Sequence, residues 1–145
     1  MNTIMGFGMM EIVLLFFLSL ALYFDLKEGR IPNKLTFTAI IFGLTYRLMT
    51  GGASHLYAGL LGGLVGLLIL LIPFLLRGMG AGDVKLLTAI GVFQGVEFVL
   101  YTALAMGIVG GIISFYYMFF RQLKGAYFPY GVAISAGAVI ALAIL

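Results

Sequence analysis

Residues 56–76 read LYAGLLGGLVGLLILLIPFLL, 21 consecutive residues without a charged side chain. About 20 apolar residues let a helix cross the roughly 30 Å hydrocarbon core of a bilayer. The chain as a whole is 63% hydrophobic and 9% charged, against about 45–50% and about 25% in soluble domains. A soluble fold of 145 residues could not bury that much apolar surface. The sequence therefore predicts a helical membrane protein and argues against a soluble enzyme, a nucleic-acid-binding protein, a disordered tail or a coiled coil.

The charged residues divide the chain into six apolar segments, approximately 5–24, 35–49, 56–76, 84–96, 98–120 and 126–145. We predict an all-α, polytopic fold of about six transmembrane helices in a single integral-membrane domain, 1–145. The second segment is long enough only if the helix starts at Asn33 and Lys34 and the Arg47 side chain extends outward to the interface. The fourth segment rises only about 20 Å as a helix. It is expected to be short or broken, to continue past Glu97, or to be a half-span sheltered by its neighbours.

The basic residues predict the orientation of the chain in the membrane. Seven of the eight Lys and Arg residues fall in the turns after the first, third and fifth segments, and the exception is Arg47. Because loops rich in Lys and Arg stay in the cytoplasm, we expect these turns inside and both termini outside, in the cytoplasmic membrane. The net charge of +3 then reflects topology and contact with membrane lipid, and no nucleic-acid partner is predicted.

Other residue counts limit the chemistry that is available. The chain has no cysteine and one histidine, so we expect no cysteine nucleophile, no metal centre and no cofactor. It also has 21 glycines, and glycines four residues apart lie on one helical face, where they let transmembrane helices approach closely. Such pairs are Gly59 and Gly63, Gly62 and Gly66, and Gly107 and Gly111.

Two of the five acidic residues, Asp25 and Asp83, stand where a predicted span meets the cytoplasmic side. Acids at such positions are functional hypotheses by default. Two nearby carboxyl groups can share a proton, so that one takes a proton from water while the other polarises a carbonyl group. That arrangement hydrolyses peptides without a metal. The residues alone also allow Asp25 to be a surface acid paired with Lys27 or Arg30, and Asp83 to be a helix N-cap.

Three segments resemble a known family. Residues 80–83, GAGD, match the GxGD motif of intramembrane-type aspartyl proteases. Residues 25–33, DLKEGRIPN, resemble the D-x5-I-P-N signature of type IV prepilin peptidases, and 82–87, GDVKLL, their second aspartate segment. Residues 128–134, FPYGVAI, resemble a stretch of their last span. The three segments occur in the family's order, and the resemblance covers essentially the whole chain.

The resemblance implies a peptidase that removes the short basic leader of prepilin-like proteins just before their hydrophobic helix. It implies that Asp25 and Asp83 are the catalytic aspartates. Larger members carry a cysteine-bearing insert and N-methylate the new terminus. This chain has no cysteine, so we expect a peptidase without methyltransferase activity, like the compact Flp/Tad-type or archaeal preflagellin members. The motif residues expected to assist substrate approach are Gly80, Gly82, Lys85, Ile31, Pro32 and Asn33.

Other functions stay open at this stage. A small proton- or ion-coupled transporter component would use the acids as ion sites, but such acids are expected in mid-membrane rather than at one edge. A non-catalytic assembly subunit would not need both aspartates and the glycine motif. A presenilin-like GxGD protease is disfavoured by the Ile-Pro-Asn segment at 31–33.

Overall fold

The computed structural model describes residues 8–28, 31–76, 81–120 and 130–144, and these ranges contain helices and no strands. This confirms the predicted all-α class for the described part of the chain. The helices are α1 (Met9–Glu28), α2 (Asn33–Leu75), α3 (Ala81–Gln94), α4 (Val96–Phe120) and α5 (Tyr130–Ile144).

The helix α2 is interrupted at Gly52. Its 43 residues would extend about 65 Å as one straight helix. Gly52 has φ 72° and ψ −157°, a left-handed conformation that glycine adopts without steric cost. Beyond it the chain turns back, so that the carbonyl of His55 accepts a hydrogen bond from the Arg47 side chain and Gly59 lies against that side chain. We therefore describe a first half of α2 (33–51) and a second half (53–75).

Both halves of α2 pack against α3, in opposite directions. In the first half of α2, residues later in the sequence contact residues later in α3. In the second half the order is reversed, and residues later in α2 contact residues earlier in α3. The two halves therefore form an antiparallel hairpin that encloses one side of α3. The contacting pairs are Asn33–Lys85 and Gly43–Val92 for the first half, and Gly59–Val92 and Gly66–Leu87 for the second.

The short helix α3 is the centre of the molecule. Its 14 residues rise about 21 Å, and Leu87, Ile90 and Phe93 are almost completely buried. The helix stops at Gln94 because Gly95 has φ 94° and turns the chain into α4. Of the possibilities that the sequence left for this segment, the structure shows the short helix sheltered by its neighbours.

Three described helical stretches are long and apolar enough to cross a membrane: Met9–Glu28, Asn33–Leu75 and Val96–Ile113. The stretch Ala133–Ile144 is apolar but shorter. An integral membrane protein is therefore supported. The number of six spans stays a prediction, although the break in α2 divides the described chain into six helical segments.

Glycines allow the backbones of α2 and α3 to approach each other closely. A Cβ atom built on Gly62 would collide with the carbonyl oxygen of Gly91, and one built on Gly91 would collide with that of Gly62. The close packing predicted for the glycines of α2 is thus confirmed. Around Gly107 and Gly111 of α4, by contrast, nothing among the described residues lies within 4 Å of a built Cβ, so the close packing predicted there is wrong for the described fold.

Candidate active site

Asp25 lies on the inward face of α1. That face is formed by Leu14, Leu18, Ala21 and Asp25, spaced by three or four residues as one side of a helix requires. The Asp25 side chain is 1% exposed, and α1 packs against both α3 and α5. The alternative of a surface acid in a loop is therefore wrong, because the helix continues past Asp25 to Glu28.

Asp83 is also buried, with 4% of its surface exposed. It is the third residue of α3, where the positive end of the helix dipole favours a carboxylate. An N-cap residue would precede the helix, so Asp83 lies within the first turn of α3 rather than at the N-cap position. The predicted motif residue Gly80 lies outside the described residues.

The segment that follows Asp25 meets the segment that contains Asp83. A Cβ atom on Gly82 would lie 2.9 Å from the carbonyl oxygen of Ile31 and 3.1 Å from its Cβ. Ile31 is itself buried. It occupies the space beside Gly82 where we expected the substrate to approach. The contact places both aspartates at the same end of the helix bundle.

Lys85 and Asn33 join the same two segments through their side chains. The Lys85 ammonium donates to the Asn33 side-chain oxygen at 2.9 Å and stands 4.8 Å from the centre of the Phe37 ring. Pro32 immediately precedes α2 in an extended conformation, φ −62° and ψ 139°, which confirms that Ile31-Pro32-Asn33 ends the connection and starts the helix. We call the Lys85, Asn33 and Phe37 contacts the Lys85 clasp.

The charges around this end of the bundle are unevenly distributed. Two carboxyl groups are buried, and burying a charged group is costly unless it is paired or hydrogen-bonded. Lys27 and Lys34 are exposed nearby and Lys85 is half-buried. Among the residues that the structure describes, no three His, Asp or Glu side chains group as ligands for a metal ion.

Arg47 contradicts its sequence interpretation. We expected its side chain to extend outward to the membrane interface. Instead its Nε donates to the carbonyl of Val92 at 2.6 Å and its Nη2 to that of Phe93 at 3.0 Å. The reason is that α3 ends there and its last carbonyls need donors. The signal in the sequence was a charge inside an apolar segment together with a neighbouring segment too short to span.

The Lys85 clasp leads to a first prediction, on stability. Lys85→Met and Asn33→Ala should each destabilise the protein, and a double-mutant cycle should give a coupling of about 1 kcal/mol for the charged hydrogen bond between them. The cation–π contact with Phe37 is lost in every Lys85→Met variant and cancels from the cycle. Unfolding in detergent, followed by circular dichroism, measures the coupling. Lys27→Met is the matched control, because the Lys27 ammonium makes the same two kinds of contact, a hydrogen bond and a cation–π contact, with Tyr23 of its own helix. A zero coupling energy would refute the hydrogen bond between Lys85 and Asn33.

The family of the chain follows from its sequence relatives. A sequence model of the type IV leader peptidase family matches residues 12–115. The prepilin leader peptidase/N-methyltransferase of Vibrio cholerae is 32% identical over 142 residues, which cover 86% of this chain and 54% of that protein. The protein of the same name from Aeromonas salmonicida is 31% identical over 146 residues, covering 94% and 50%.

A third relative, the prepilin leader peptidase/N-methyltransferase of Neisseria gonorrhoeae, is 28% identical over 134 residues, covering 86% of this chain and 44% of its own length. This chain thus spans about half the length of the curated relatives that it matches. No solved structure matches the chain. The matched range includes Asp25, the Ile-Pro-Asn segment and Asp83, and the resemblance seen in the motifs is confirmed: the chain belongs to the type IV leader peptidase family.

Proposed function

We propose that this chain is a membrane aspartic endopeptidase that removes the short leader of prepilin-like precursors, such as pilins, pseudopilins, Flp pilins or archaellins. The observation that supports it best is the burial of two aspartates at one end of the bundle, within segments that match a leader peptidase family. A transporter would place its acids in mid-membrane, which does not fit two acids at one end.

The proposed chemistry is a general acid–base hydrolysis shared by Asp25 and Asp83. The ionised carboxylate removes a proton from a water molecule, whose oxygen attacks the carbonyl carbon of the leader peptide bond. The protonated carboxyl group donates its proton to the carbonyl oxygen. When the tetrahedral intermediate breaks down, a proton passes to the leaving amine and the carbon–nitrogen bond is cleaved. Because the two groups titrate as a pair, neither is assigned a fixed role.

The proposed substrate fits the position of the site at one end of the bundle. The exposed Lys27 and Lys34 at this end favour a cytoplasmic location by the positive-inside rule. A leader peptide lies in the cytoplasm while the following hydrophobic helix enters the bilayer, so its scissile bond is at the same depth. The bond must be presented in extended form, because a helix holds its carbonyl groups in internal hydrogen bonds.

The experiment that tests this function is cleavage in reconstituted membranes. Vesicles containing the chain should convert a prepilin into one shorter product, and mass spectrometry should place the cut before the hydrophobic helix. We expect the new amine to carry no methyl group when S-adenosylmethionine is present. A prepilin without its leader is the control and should not change. Intact precursor across several pilin types would refute the peptidase, and a methylated product would refute the absence of methyltransferase activity.

A further inference from the structure

The helix that carries Asp83 needs support at its opposite end. The 14 residues of α3 rise about 21 Å, less than the roughly 30 Å of the hydrocarbon core. With its first turn at the edge of the membrane, its last turn ends inside the apolar layer. Carbonyl groups without donors are costly at that depth, so the partners of the last turn determine where α3 can be placed.

Arg47 supplies two of those partners, and the Gly95 N–H supplies another by donating to the carbonyl of Gly91. The Arg47 guanidinium donates to the carbonyls of Val92 and Phe93 at the end of α3, at 2.6 and 3.0 Å. It also donates to the carbonyl of His55 in the second half of α2, at 3.3 Å. A cation at a helix C-terminus is favoured by the helix dipole, and the planar guanidinium can bond several carbonyls at once.

Gly59 leaves open the space that the Arg47 side chain occupies. A Cβ atom at residue 59 would lie 2.5 Å from Cδ of Arg47 and 3.1 Å from the carbonyl oxygen of Val92. A side chain larger than glycine would therefore displace Arg47 or the end of α3. The first half of α2 contributes the cation, and the second half contributes the space that it occupies.

We propose that Arg47 is a positioning residue, which rests on the proposed peptidase function. By holding the C-terminus of α3, it sets the position of this helix along its axis and so the depth of Asp83 relative to Asp25. Val92 packs against Gly43 and Gly63, one glycine from each half of α2, and the Arg47 hydrogen bond fixes the backbone carbonyl of the same residue. Displacing a reacting group by about 1 Å can cost roughly 10²-fold in rate.

Leader cleavage by Arg47 variants tests the proposal first. Arg47→Met should lower kcat by about 10- to 100-fold with little change in KM, because Arg47 lies at the far end of α3 from the site. Arg47→Lys should recover part of the rate, because an ammonium keeps the charge but cannot bond two carbonyls in a planar fork. Gly59→Ala should reproduce the loss. Gly107→Ala, where nothing lies within 4 Å, is the matched control and should cleave normally.

Disulfide formation gives a readout that does not need activity. The chain has no cysteine, so an introduced pair reports one distance. Ile31→Cys with Gly82→Cys reports the N-terminal end of α3, where the Cβ separation of 3.1 Å needs a shift of only a few tenths of an ångström to reach the disulfide range. Gly110→Cys with Ala133→Cys reports the packing of α4 on α5, at 3.8 Å, the mean value for disulfides. Arg47→Met should slow the first linkage severalfold and leave the second unchanged.

The outcomes separate the two proposals. Arg47→Met with a normal kcat, or with a normal rate of linkage between positions 31 and 82, overturns the positioning role. Loss of both linkages also overturns it, because it shows that Arg47 supports the whole fold. If the unsubstituted chain cleaves no prepilin, the peptidase proposal fails, and the linkage rates alone then decide whether Arg47 sets the position of α3.

Discussion

Asp25→Asn and Asp83→Asn should each lower leader cleavage by about 10²- to 10⁴-fold, the range that a general acid or base contributes. Asparagine has nearly the size of aspartate but can neither accept a proton from water nor deliver one. If the two carboxyl groups act as one unit, the double variant should be no slower than either single variant. The rate of leader removal from a purified prepilin, followed by mass spectrometry, measures the effect.

The fold should survive these substitutions, which makes the loss interpretable. Both side chains are buried, and the asparagine amide fills nearly the same volume and still accepts and donates hydrogen bonds. Glu28→Gln and Glu97→Gln are the matched controls. Glu28 is an exposed acid at the same end of α1 as Asp25, and Glu97 is an exposed acid in the first turn of α4, as Asp83 is in α3. Both controls should cleave at the normal rate.

Cleavage by either aspartate variant at the rate of the unsubstituted chain would contradict the dyad. Equal loss in an aspartate variant and its glutamate control would also contradict it, since the effect would then come from general surface charge. Membrane yield and the unfolding midpoint in detergent should be compared for all four variants. A cleavage defect that follows the unfolding midpoint would assign Asp25 or Asp83 to the fold rather than to the reaction.

Gly62→Val should have the largest effect on stability. A Cβ atom at residue 62 would collide with the carbonyl of Gly91 and lie 2.8 Å from Cα of Gly95. These atoms belong to the backbone of α3 and of Gly95, which joins α3 to α4, and cannot move as a flexible side chain would. Overpacking of this kind costs typically about 1–3 kcal/mol and occasionally more. We expect a lower unfolding midpoint in detergent and a lower yield of folded protein.

Gly107→Ala and Gly111→Ala are the comparison for this prediction. The structure leaves open space around both glycines in its described part, and alanine is the better helix former by about 1 kcal/mol. These variants should therefore be as stable as the unsubstituted chain or slightly more stable. If Gly62→Val unfolds at the same midpoint as Gly107→Ala, the close approach of α2 and α3 is wrong.

Much of the fold and of the candidate site could be predicted from the residues. The scarcity of charge indicates a helical membrane protein, because only helices and closed barrels satisfy the backbone in lipid. Acidic residues are rare in such a chain, so those at a span edge are candidates for function. The motifs around Asp25 and Asp83 indicated the family that the relatives confirm. Pro32 indicated the start of α2 at Asn33. Proline lacks the backbone N–H that a helix interior needs, and it disfavours a helical conformation in the residue before it.

The rotation of each helix could not be predicted. In a soluble helix the polar face marks the side turned to water. Here nearly every face is apolar, and lipid is as apolar as the protein interior. Local composition therefore could not show that Gly62 is packed while Gly107 is open, or that Arg47 turns inward to α3.

The sequence by itself determined that the chain belongs in a membrane, which family it resembles and which two acids are candidates for its chemistry. The tertiary structure decided that α2 folds back at Gly52, that both aspartates are buried at one end, and that Arg47 bonds the end of α3. These features depend on contacts between helices distant in sequence. A backbone carbonyl without a donor, or a glycine without a side chain, acquires its role only when the neighbouring helix is in place.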